Sequence, residues 1–478
     1  MTKKHRTEKR IRTIESWVTV GFFGILFLAM SIFFLMYVGN NHEELISNSY
    51  NSRQQLLAKE NTRGKIIDSK GNVLAQTKIS ESGKEYRDYP YAELFAHAVG
   101  FSTKGKTGIE DMANYYLINS DISLEKKAVN EMEGKKNPGN DVYTSLDYDL
   151  QKVASDALGV CKGAIIVSDV RTGDILAMVS KPDFDPNSVA SDWDKYVNDN
   201  SQTVLLNRAT QGLYPPGSTF KILTTLEYIR ENPDNYMDYS YTCNGSYRKD
   251  DIKINCFHGS VHNGVDLKKS FAKSCNSSFA NIGMTLDRQK YGETLNEMLF
   301  NSNLPLDYNY SVSNLKVDSG TSDDDMSQIA IGQGHAQITP IQLNMITNAI
   351  ANKGILMKPK VLDHVESADG STVKTYEPEE YARLMSEEES AALTELMKAV
   401  VSEGTATKLI SDNYTAAGKT GSAEFNHVAA DSHAWFTGFV PADNPEISVT
   451  IIVESIGSGG EYAVPIAKRI IDAYYGVY

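Results

Sequence analysis

The feature that most constrains this chain is an uncharged, mostly apolar run from Trp17 to Val38. Its length matches the roughly 20 residues with which an apolar helix crosses a bilayer. Lysine and arginine crowd residues 1–16 before it, and the acidic pair Glu43 and Glu44 follows it. Because an excess of basic residues stays on the cytoplasmic side, we predict a cytoplasmic tail over 1–16, a single transmembrane helix over 17–38 and an extracytoplasmic remainder.

A cleaved signal peptide is the alternative interpretation of the same run. Its apolar core would be shorter, and a small-x-small cleavage site would follow it. Such a site does not follow Val38, so an uncleaved anchor is the prediction.

The charge of the chain restricts its partners. The formal net charge is −14 although the predicted tail is basic, so the outer part is strongly acidic. That sign argues against nucleic acid and against anionic membrane surfaces as partners. The length of 478 residues is enough for two or three domains with full cores.

The cysteines give no metal or redox motif along the sequence. They are Cys161, Cys243, Cys256 and Cys275. They include no C-x-x-C pair, and the nearby histidines offer no zinc-binding spacing, so we predict no metal. A disulfide between Cys243 and Cys256 would suit an oxidising compartment; free buried thiols are the alternative, and the spacing leaves both open. No ligand role is assigned to His258, His262, His335 and His433.

The outer part divides into two predicted domains. Residues 39–145 contain a polar stalk, a hairpin over 63–75 and short irregular elements, and we call the folded part of this segment the pedestal. Residues 146–478 open with a helix and an apolar hairpin, continue through a long helical region and end with three strands and a helix. Strands at both ends with helices between them predict an α+β fold, in which distant segments complete one antiparallel sheet.

Local patterns support these predicted elements. Ile447, Val449, Ile451 and Val453 occupy every second position, which is typical of a strand. A capping box at Ser386, with Glu389 three residues on, predicts a helix start, and Pro465 is expected to open the closing helix.

A serine and a lysine three residues apart form the first candidate site. Ser218 and Lys221 lie in Tyr-Pro-Pro-Gly-Ser-Thr-Phe-Lys, where the prolines suit the approach to a helix. Side chains at i and i+3 share one helix face, so the amine can act as the base of the hydroxyl. It does so only when neutral, which requires its pKa to fall from about 10.4 toward 7. The same spacing recurs from Ser123, Ser246, Ser270, Ser313 and Ser371, so alone it is weak.

Two later motifs single out Ser218 among these serines. Ser274-Cys275-Asn276 lies in a helical stretch, and Lys419-Thr420-Gly421-Ser422 lies on a predicted strand. A second Lys-Thr-Gly begins at Lys106, in the pedestal. The motifs S-x-x-K, S-x-N and K-T-G in this order mark penicillin-binding proteins and related β-lactamases. The order argues against the structural alternative, in which Ser218, Ser274 and Asn276 are ordinary helix-start residues.

On these motifs the sequence resembles a class B penicillin-binding protein, over nearly the whole chain. Two segments are similar to the family's pedestal, a dimerisation-like domain. They are Arg63-Gly-Lys-Ile-Ile-Asp68, with Leu74-Ala75 after it, and Gly105-Lys-Thr-Gly-Ile-Glu110. Gly332-Gln-Gly334 and His433-Ala-Trp-Phe-Thr-Gly438 are similar to further family segments. The resemblance implies a penicillin-binding/serine β-lactamase-like fold in a short form, without a glycosyltransferase domain and without C-terminal repeats.

The resemblance implies these residue roles. Ser218 is the nucleophile and Lys221 its base, assisted by a second cation, Lys419, and by burial behind Phe220. Ser274 relays protons, and Asn276 holds Lys221 and the substrate amide. The substrate carboxylate is bound at Thr420, Gly421 and Ser422, and the oxyanion hole consists of the backbone N–H groups of Ser218 and Ser422. Trp435 and Phe436 are expected in the core or the wall of the groove.

The function that these roles imply is a membrane-anchored peptidoglycan D,D-transpeptidase. It crosslinks stem peptides ending in D-Ala-D-Ala through a serine acyl-enzyme and is a target of β-lactams, with no cofactor. The enzymatic alternatives are a D,D-carboxypeptidase and a class D-like β-lactamase, which use the same motifs with water as acceptor. The non-enzymatic alternatives are a scaffold that activates a SEDS-type glycosyltransferase and a β-lactam sensor. A SEDS-type glycosyltransferase is the expected protein partner.

Overall fold

The structure, a computed structural model, describes residues 3–47, 52–199, 201–423 and 432–477. Residues 1–2 of the predicted tail, 48–51 of the predicted stalk, 200, 424–431 and 478 lie outside these ranges. The chain forms two compact units, residues 1–61 and 62–478.

The helices and strands are numbered along the chain. Up to residue 144 they are α1 (Lys3–Ser47), α2 (Ser52–Glu60), β1 (Asn61–Thr62), β2 (Ile66–Ile67), β3 (Val73–Ile79), β4 (Glu85–Asp88), α3 (Ala96–Val99), α4 (Gly108–Met112), α5 (Asn114–Ile118), α6 (Leu124–Met132), β5 (Asn137–Pro138) and β6 (Asp141–Thr144). From 145 to 299 they are α7 (Tyr148–Leu158), β7 (Gly163–Asp169), β8 (Ile175–Lys181), α8 (Val189–Asn198), α9 (Lys221–Glu231), β9 (Ser240–Cys243), β10 (Ser246–Lys249), β11 (Ile252–Asn255), β12 (Asn263–Asp266), α10 (Leu267–Ala272), α11 (Asn276–Gly283) and α12 (Arg288–Glu297). The remainder are α13 (Asp323–Ile329), α14 (Pro340–Ala351), β13 (Ile355–Met357), β14 (Leu362–Glu366), β15 (Thr372–Thr375), β16 (Glu380–Arg383), α15 (Glu387–Ser402), β17 (Ala417–Ala423), β18 (His433–Val440), β19 (Ile447–Val453) and α16 (Ala463–Tyr474).

Helix α1 contains the predicted span. Its stretch Thr13–Val38 has a mean hydropathy of 2.5, and none of it is buried within the chain. Among the described residues it is the one helix long and apolar enough to cross a membrane. Helix α1 extends beyond the predicted 17–38 at both ends, so the candidate membrane span is one part of a longer helix.

The large sheet of the second unit has the predicted architecture. Its strands lie in the order β17-β18-β19-β7-β8 with antiparallel pairing throughout, so the hairpin β7–β8 and the three C-terminal strands meet through β19 and β7. Helix α14 packs on one face, and α7 and α16 pack together against the other. The sheet is therefore completed by distant segments, as the sequence predicted.

Side chains along β19 alternate between the two faces of the sheet, and both faces are buried, so neither is exposed to solvent. Every residue of β18 and β19 is buried. The hydroxyls on the face toward α14 are satisfied there: Thr437 lies 2.6 Å from the Thr347 hydroxyl and 2.7 Å from that of Thr450. Asn344 donates to Ser448 at 2.9 Å. Polar side chains are thus tolerated in the core because each has a hydrogen-bond partner.

The pedestal is built around a second sheet, in the order β15-β14-β6-β2-β3-β4. The predicted hairpin is its β2–β3 pair, while β2 and β6 run parallel. Strands β14 and β15 come from beyond residue 360, on the far side of the predicted boundary at 145/146. The pairing of β14 with β6 joins them to the pedestal.

A buried ion cluster ties the pedestal together at Glu110. This side chain is fully buried and accepts hydrogen bonds from Arg63 Nε at 2.6 Å and Arg87 Nε at 2.7 Å. Arg63 also donates to the Glu110 carbonyl and to Asn114. The second Lys-Thr-Gly, which starts at Lys106, leads directly into α4 and this carboxylate, so its place in the fold is structural.

Local predictions hold with small shifts of boundary. The capping box at Ser386 is formed in full with Glu389. Helix α16 begins at Ala463, two residues before the predicted opening proline. The short strands β9–β12, within the region predicted as helical, form two antiparallel pairs.

The cysteines are all free thiols. Cys243 and Cys256 have Sγ atoms 3.7 Å apart, well beyond the roughly 2.05 Å of a disulfide. Cys275 and the His262 ring lie against the same pair, and the four ligand atoms lie within 4.8 Å of one another. No zinc pattern was predicted from the sequence, and no ligand role was assigned to His262. The spacing of these residues along the chain did not show that they come together in the fold.

Candidate active site

The residues predicted from the three motifs come together at one cleft. It has a volume of about 1100 Å³ and is lined on one side by the edge strand β17. Among the lining residues are Ser218, Ser274, Asn276, Thr420, Gly421 and Ser422. Lys221 and Lys419 lie fully buried beneath them.

The first motif forms a tight entry into a buried helix. Gly217–Phe220 form a 3-10 turn that continues into α9 at Lys221. The turn brings the Ser218 Oγ to 3.1 Å from the Lys221 Nζ. Along α9, Ile222 and Leu226 are buried, so the predicted apolar stripe anchors the helix that carries the lysine.

Two glycines let three backbone segments meet behind Ser218. Gly217 has a φ of +54°, and a Cβ there would lie 2.8 Å from the Ser422 carbonyl oxygen. Gly332 has a φ of +77°, and a Cβ there would lie 1.9 Å from the Gly217 oxygen. Its carbonyl accepts the Gly217 N–H at 2.9 Å. Only glycine fits these left-handed, crowded positions, so the segment before Ser218 is held close to the backbone of β17 around Ser422.

Lys221 lies among four oxygen atoms. Besides Ser218 Oγ, its Nζ lies 2.8 Å from the Ser274 carbonyl, 3.2 Å from the Ser274 Oγ and 2.7 Å from the Asn276 Oδ1. A neutral amine can donate its two protons to the carbonyl and amide oxygens. Its lone pair is then left for the hydroxyl of Ser218, which is the arrangement a serine nucleophile needs.

Ser274 connects the two buried lysines. Its Oγ lies 3.2 Å from the Lys221 Nζ and 3.0 Å from the Lys419 Nζ. Its φ of +57° is in the left-handed region, unusual for a residue other than glycine. This conformation points both the carbonyl and the hydroxyl at Lys221, and such strain is common where a structure positions reacting groups.

Burial controls the charge of both lysines. It lowers the pKa of Lys221 to about 7, with the nearby thiols of Cys275 and Cys256 acting in the opposite direction. Burial also holds the pKa of Lys419 well below its ordinary value, and the charge of Lys221 lowers it further. The repulsion between the two lysines therefore lowers the pKa of Lys419, whereas the pKa of Lys221 is lowered by burial itself.

The aromatic rings that bury the lysines differ from the predicted one. The Lys221 Nζ lies 5.3 Å from the centre of the Phe279 ring, and the Lys419 Nζ lies 5.5 Å from that of Phe271. Phe220, predicted to cover Lys221, packs instead against Phe300. Phe279 and Phe271 belong to α11 and α10, which flank Ser274.

Strand β17 presents the third motif along the cleft. Lys419 donates to Ser274, and Thr420 shares a 2.5 Å hydrogen bond with the Thr405 hydroxyl. Gly459 donates its N–H to the Ser422 Oγ at 3.3 Å. A Cβ at Gly421 would lie 3.1 Å from the Pro216 oxygen. The strand therefore runs close beside the segment that leads into Ser218.

The chain is similar to known proteins over both of its predicted domains. The family model described as the penicillin binding protein transpeptidase domain matches residues 163–472. The chain belongs to the penicillin-binding protein transpeptidase family. A second model, the penicillin binding protein A dimerisation domain, matches residues 63–142.

Relatives of this penicillin-binding protein cover most of its length. The peptidoglycan D,D-transpeptidase PbpA of Mycolicibacterium smegmatis is 30% identical over 451 residues, which cover 88% of this chain and 91% of PbpA. A solved structure of penicillin-binding protein A from M. tuberculosis, a ceftriaxone acyl-enzyme complex, has a TM-score of 0.79 at 27% identity. The match covers 87% of this chain and 99% of that one. The predicted class B membership and the predicted fold are confirmed.

In three of the five other Ser-x-x-Lys spacings of this penicillin-binding protein, the lysine binds a group outside the motif. Lys249 pairs with Asp323 at 3.0 Å, Lys316 pairs with Asp318 at 2.7 Å, and Lys273 donates to the Glu403 carbonyl. These contacts draw the three lysines toward acceptors outside their own motifs.

Several contacts around the segment that leads into Ser218 were not predicted from the sequence. Tyr214 donates to Glu454 at 2.7 Å, and Arg208 donates to the same carboxylate at 2.8 Å. Trp435, predicted in the core or groove wall, is fully buried and donates to the Pro215 carbonyl at 3.1 Å. These bonds brace the segment before Ser218. The partners are separated by more than two hundred residues, so the sequence carried no local signal for them.

Proposed function

We propose that this penicillin-binding protein is a membrane-anchored peptidoglycan D,D-transpeptidase that works through a Ser218 acyl-enzyme. The observation that carries the proposal is the 3.1 Å approach of the Lys221 amine to the Ser218 hydroxyl. That amine is buried and its pKa is lowered to about 7, so a large fraction of it is neutral near neutral pH.

Acylation begins when Lys221 takes the proton of Ser218. The Oγ then attacks the carbonyl of the penultimate D-alanine, and the backbone N–H groups of Ser218 and Ser422 stabilise the oxyanion. Losing one such donor typically costs about 10²–10³ in rate. The C–N bond breaks, and the leaving D-alanine amine receives its proton through Ser274, whose hydroxyl lies between the two lysines.

The third motif is proposed to bind the terminal carboxylate of the donor peptide. Lys419 supplies a cation, and the hydroxyls of Thr420 and Ser422 supply donors along the open side of β17. An incoming carboxylate raises the pKa of Lys419 again and so favours its charged form. Gly421 keeps the strand free of a side chain where the peptide must approach.

Transfer completes the reaction when the amine of a second stem peptide attacks the acyl-enzyme. That amine loses a proton to Lys221 as its nitrogen bonds to the carbonyl carbon, and the Ser218 Oγ leaves with a proton. A D,D-carboxypeptidase or β-lactamase would use water at the same step, and the relatives named as D,D-transpeptidases favour transfer.

The setting we propose is the outer face of a cell membrane. Helix α1 would anchor the chain with its N-terminus in the cytoplasm, which the basic residues before the span favour. The proposed boundaries are 39–145 for the pedestal and 146–478 for the transpeptidase domain, which bracket the two family matches. A SEDS-type glycosyltransferase is the proposed partner, contacting the span and the pedestal.

The test of the proposed function supplies donor and acceptor together. Purified full-length protein in detergent is incubated with uncrosslinked peptidoglycan strands that carry D-Ala-D-Ala stems, and the digested product is analysed by mass spectrometry. Crosslinked dimers released along with D-alanine are expected. Stems shortened by one D-alanine without any dimer would instead identify a carboxypeptidase. Rapid turnover of penicillin with no lasting adduct would identify a β-lactamase.

The rate of acylation by penicillin should depend on pH through Lys221. Because the pKa of its buried amine is about 7, the rate constant is expected to rise about tenfold per pH unit below 7 and to level off above it. Stopped-flow acylation between pH 5.5 and 8.5 measures this profile. Lys221→Arg, which stays protonated throughout, should be inactive at every pH, and a flat wild-type profile would exclude Lys221 as the base.

A further inference from the structure

We propose that Cys243, Cys256, His262 and Cys275 bind one structural Zn²⁺ beside the cleft. The three cysteines are buried and the imidazole is half-buried, and all four ligand atoms lie within 4.8 Å of one another. Three cysteines and one histidine make up one of the common closed sets of ligands for structural zinc.

The distances between sulfur atoms match a zinc tetrahedron. Cys256 Sγ lies 3.7 Å from that of Cys243 and 3.8 Å from that of Cys275. Sulfurs bound about 2.3 Å from a tetrahedral Zn²⁺ are separated by about 3.8 Å. The His262 Nδ1 lies 3.3 Å from the Cys243 Sγ, close to the nitrogen–sulfur edge of such a tetrahedron.

The ligands come from four different places in the fold. Cys243 ends β9, Cys256 follows β11, and His262 precedes β12, which pairs with β9. Cys275 is the residue immediately before α11. Pairing of Asn263 with Cys243 across β12 and β9 brings the imidazole beside the first sulfur. Because strand pairing brings the ligands together, their spacing along the chain differs from that of a zinc knuckle. The sequence therefore did not reveal the site.

Donors around the sulfurs suit thiolates. The Ser277 hydroxyl, fully buried, lies 3.0 Å from the Cys243 Sγ, 3.4 Å from that of Cys256 and 3.3 Å from that of Cys275. The Gly245 N–H donates to the Cys243 Sγ at 3.4 Å. Outer groups of this kind orient the ligands of a metal and stabilise their charge. Each ligating thiol would release its proton to solvent on binding.

A disulfide would explain the positions of fewer of these four side chains than a bound metal does. A bridge would use two cysteines and leave the third thiol and the imidazole with no shared function. It would also require two sulfurs to approach from 3.7 Å to about 2.05 Å. Zn²⁺ engages all four groups at nearly their present separation. With four protein ligands the site has no open position, so the ion is structural and takes no part in the reaction.

The site is connected to the proposed active site by direct contacts. Cys275 lies between Ser274 and Asn276 in the second motif, and Asn276 donates to the Asn255 carbonyl at 3.0 Å. Asn255 precedes the ligand Cys256, and residues 253–260 line the cleft. The ion would therefore hold both the second motif and this wall of the cleft, a consequence that rests on the proposed function.

Metal content tests the site independently of catalysis. Full-length protein is purified under reducing conditions, and bound zinc is measured by inductively coupled plasma mass spectrometry. About one zinc per chain is expected. Cys243→Ser and His262→Ala should reduce it to background, while His262→Cys should keep it by replacing one ligand with another. Cys161→Ser, which removes the cysteine outside the cluster, is the matched control.

Wild-type protein alone gives a second measurement that does not depend on a folded variant. After removal of zinc by a chelator, Co²⁺ should give the visible spectrum of a tetrahedral thiolate site. Penicillin acylation should slow with zinc removal and recover when zinc is restored. Zinc content equal in wild type and Cys243→Ser, or a disulfide among the three cysteines in protein isolated without reductant, would overturn the site. Zinc bound without any change in acylation would overturn only its link to the cleft.

Discussion

Replacing Ser218 with alanine is expected to abolish covalent labelling of this protein by a fluorescent penicillin. The hydroxyl is the group that forms the ester, and Lys221 is positioned 3.1 Å away to deprotonate it. Removing the nucleophile of a serine enzyme typically lowers its rate by a factor on the order of 10⁶, so no labelled band should remain on a gel.

The matched control for this prediction is Ser371→Ala. Ser371 has the same spacing to a lysine, Lys374, but it is exposed in the turn before β15. Its hydroxyl donates to Asp369 at 2.8 Å. Labelling of this variant should equal that of wild type. Residual labelling of Ser218→Ala, located by mass spectrometry on another residue, would show that the acylated serine had been misassigned.

The same variant also separates the enzyme from a scaffold. Ser218→Ala removes one hydroxyl oxygen that lines the cleft and leaves the buried lysines and the packing of α9 in place. The variant should therefore remain folded and membrane-bound. If cells that carry only this variant crosslinked their wall normally, the protein would act by contact with a partner instead of by chemistry. We expect such cells to lose the crosslinks that this protein forms.

The residues of the candidate site could be predicted from the sequence because they lie in short motifs. Each of the three motifs spans only a few consecutive residues, and the order of the motifs singled out Ser218 among six identical spacings. The structure brings all eight predicted residues to one cleft. The positions of Lys221 and Ser218 follow from helical geometry, which is local and therefore visible in the sequence.

What the sequence did not predict depends on pairing between distant segments. Strands β14 and β15 join the pedestal sheet although they follow α14 in the chain, and a strand that pairs with a distant partner leaves no local mark of it. The ring beside Lys221 is Phe279 and not Phe220, because the packing of α11 against α9 decides which face is covered. The cysteine cluster was missed for the same reason.

The second large effect is expected in the pedestal, at Glu110. Glu110→Gln should lower the free energy of unfolding by about 3–5 kcal/mol, the usual cost of removing one partner from a buried ion pair. Glutamine keeps the size of the side chain but removes its charge. Arg63 and Arg87, whose side chains are only 13% and 6% exposed, would then lie buried with no carboxylate between them.

The pH dependence of stability should reveal the same cluster. Burial alone would raise the pKa of Glu110, but the two guanidinium groups outweigh it and hold the pKa below its ordinary value. A carboxylate with a lowered folded pKa stabilises the protein above its unfolded pKa. That contribution disappears as pH falls through the folded value. The stability difference between wild type and Glu110→Gln should therefore shrink as the solution is acidified.

The measurement is denaturant unfolding of the full-length protein in detergent, with Glu133→Gln as the matched control. Glu133 pairs with Lys135 at 2.7 Å, but the two side chains are 49% and 69% exposed. Exposed pairs contribute roughly 0–1 kcal/mol, so this variant should unfold close to wild type. Equal midpoints for the two variants would mean that the arginines find other partners. A large loss at Glu110 alone would identify this carboxylate as the group that holds the segment around Arg63 against α4.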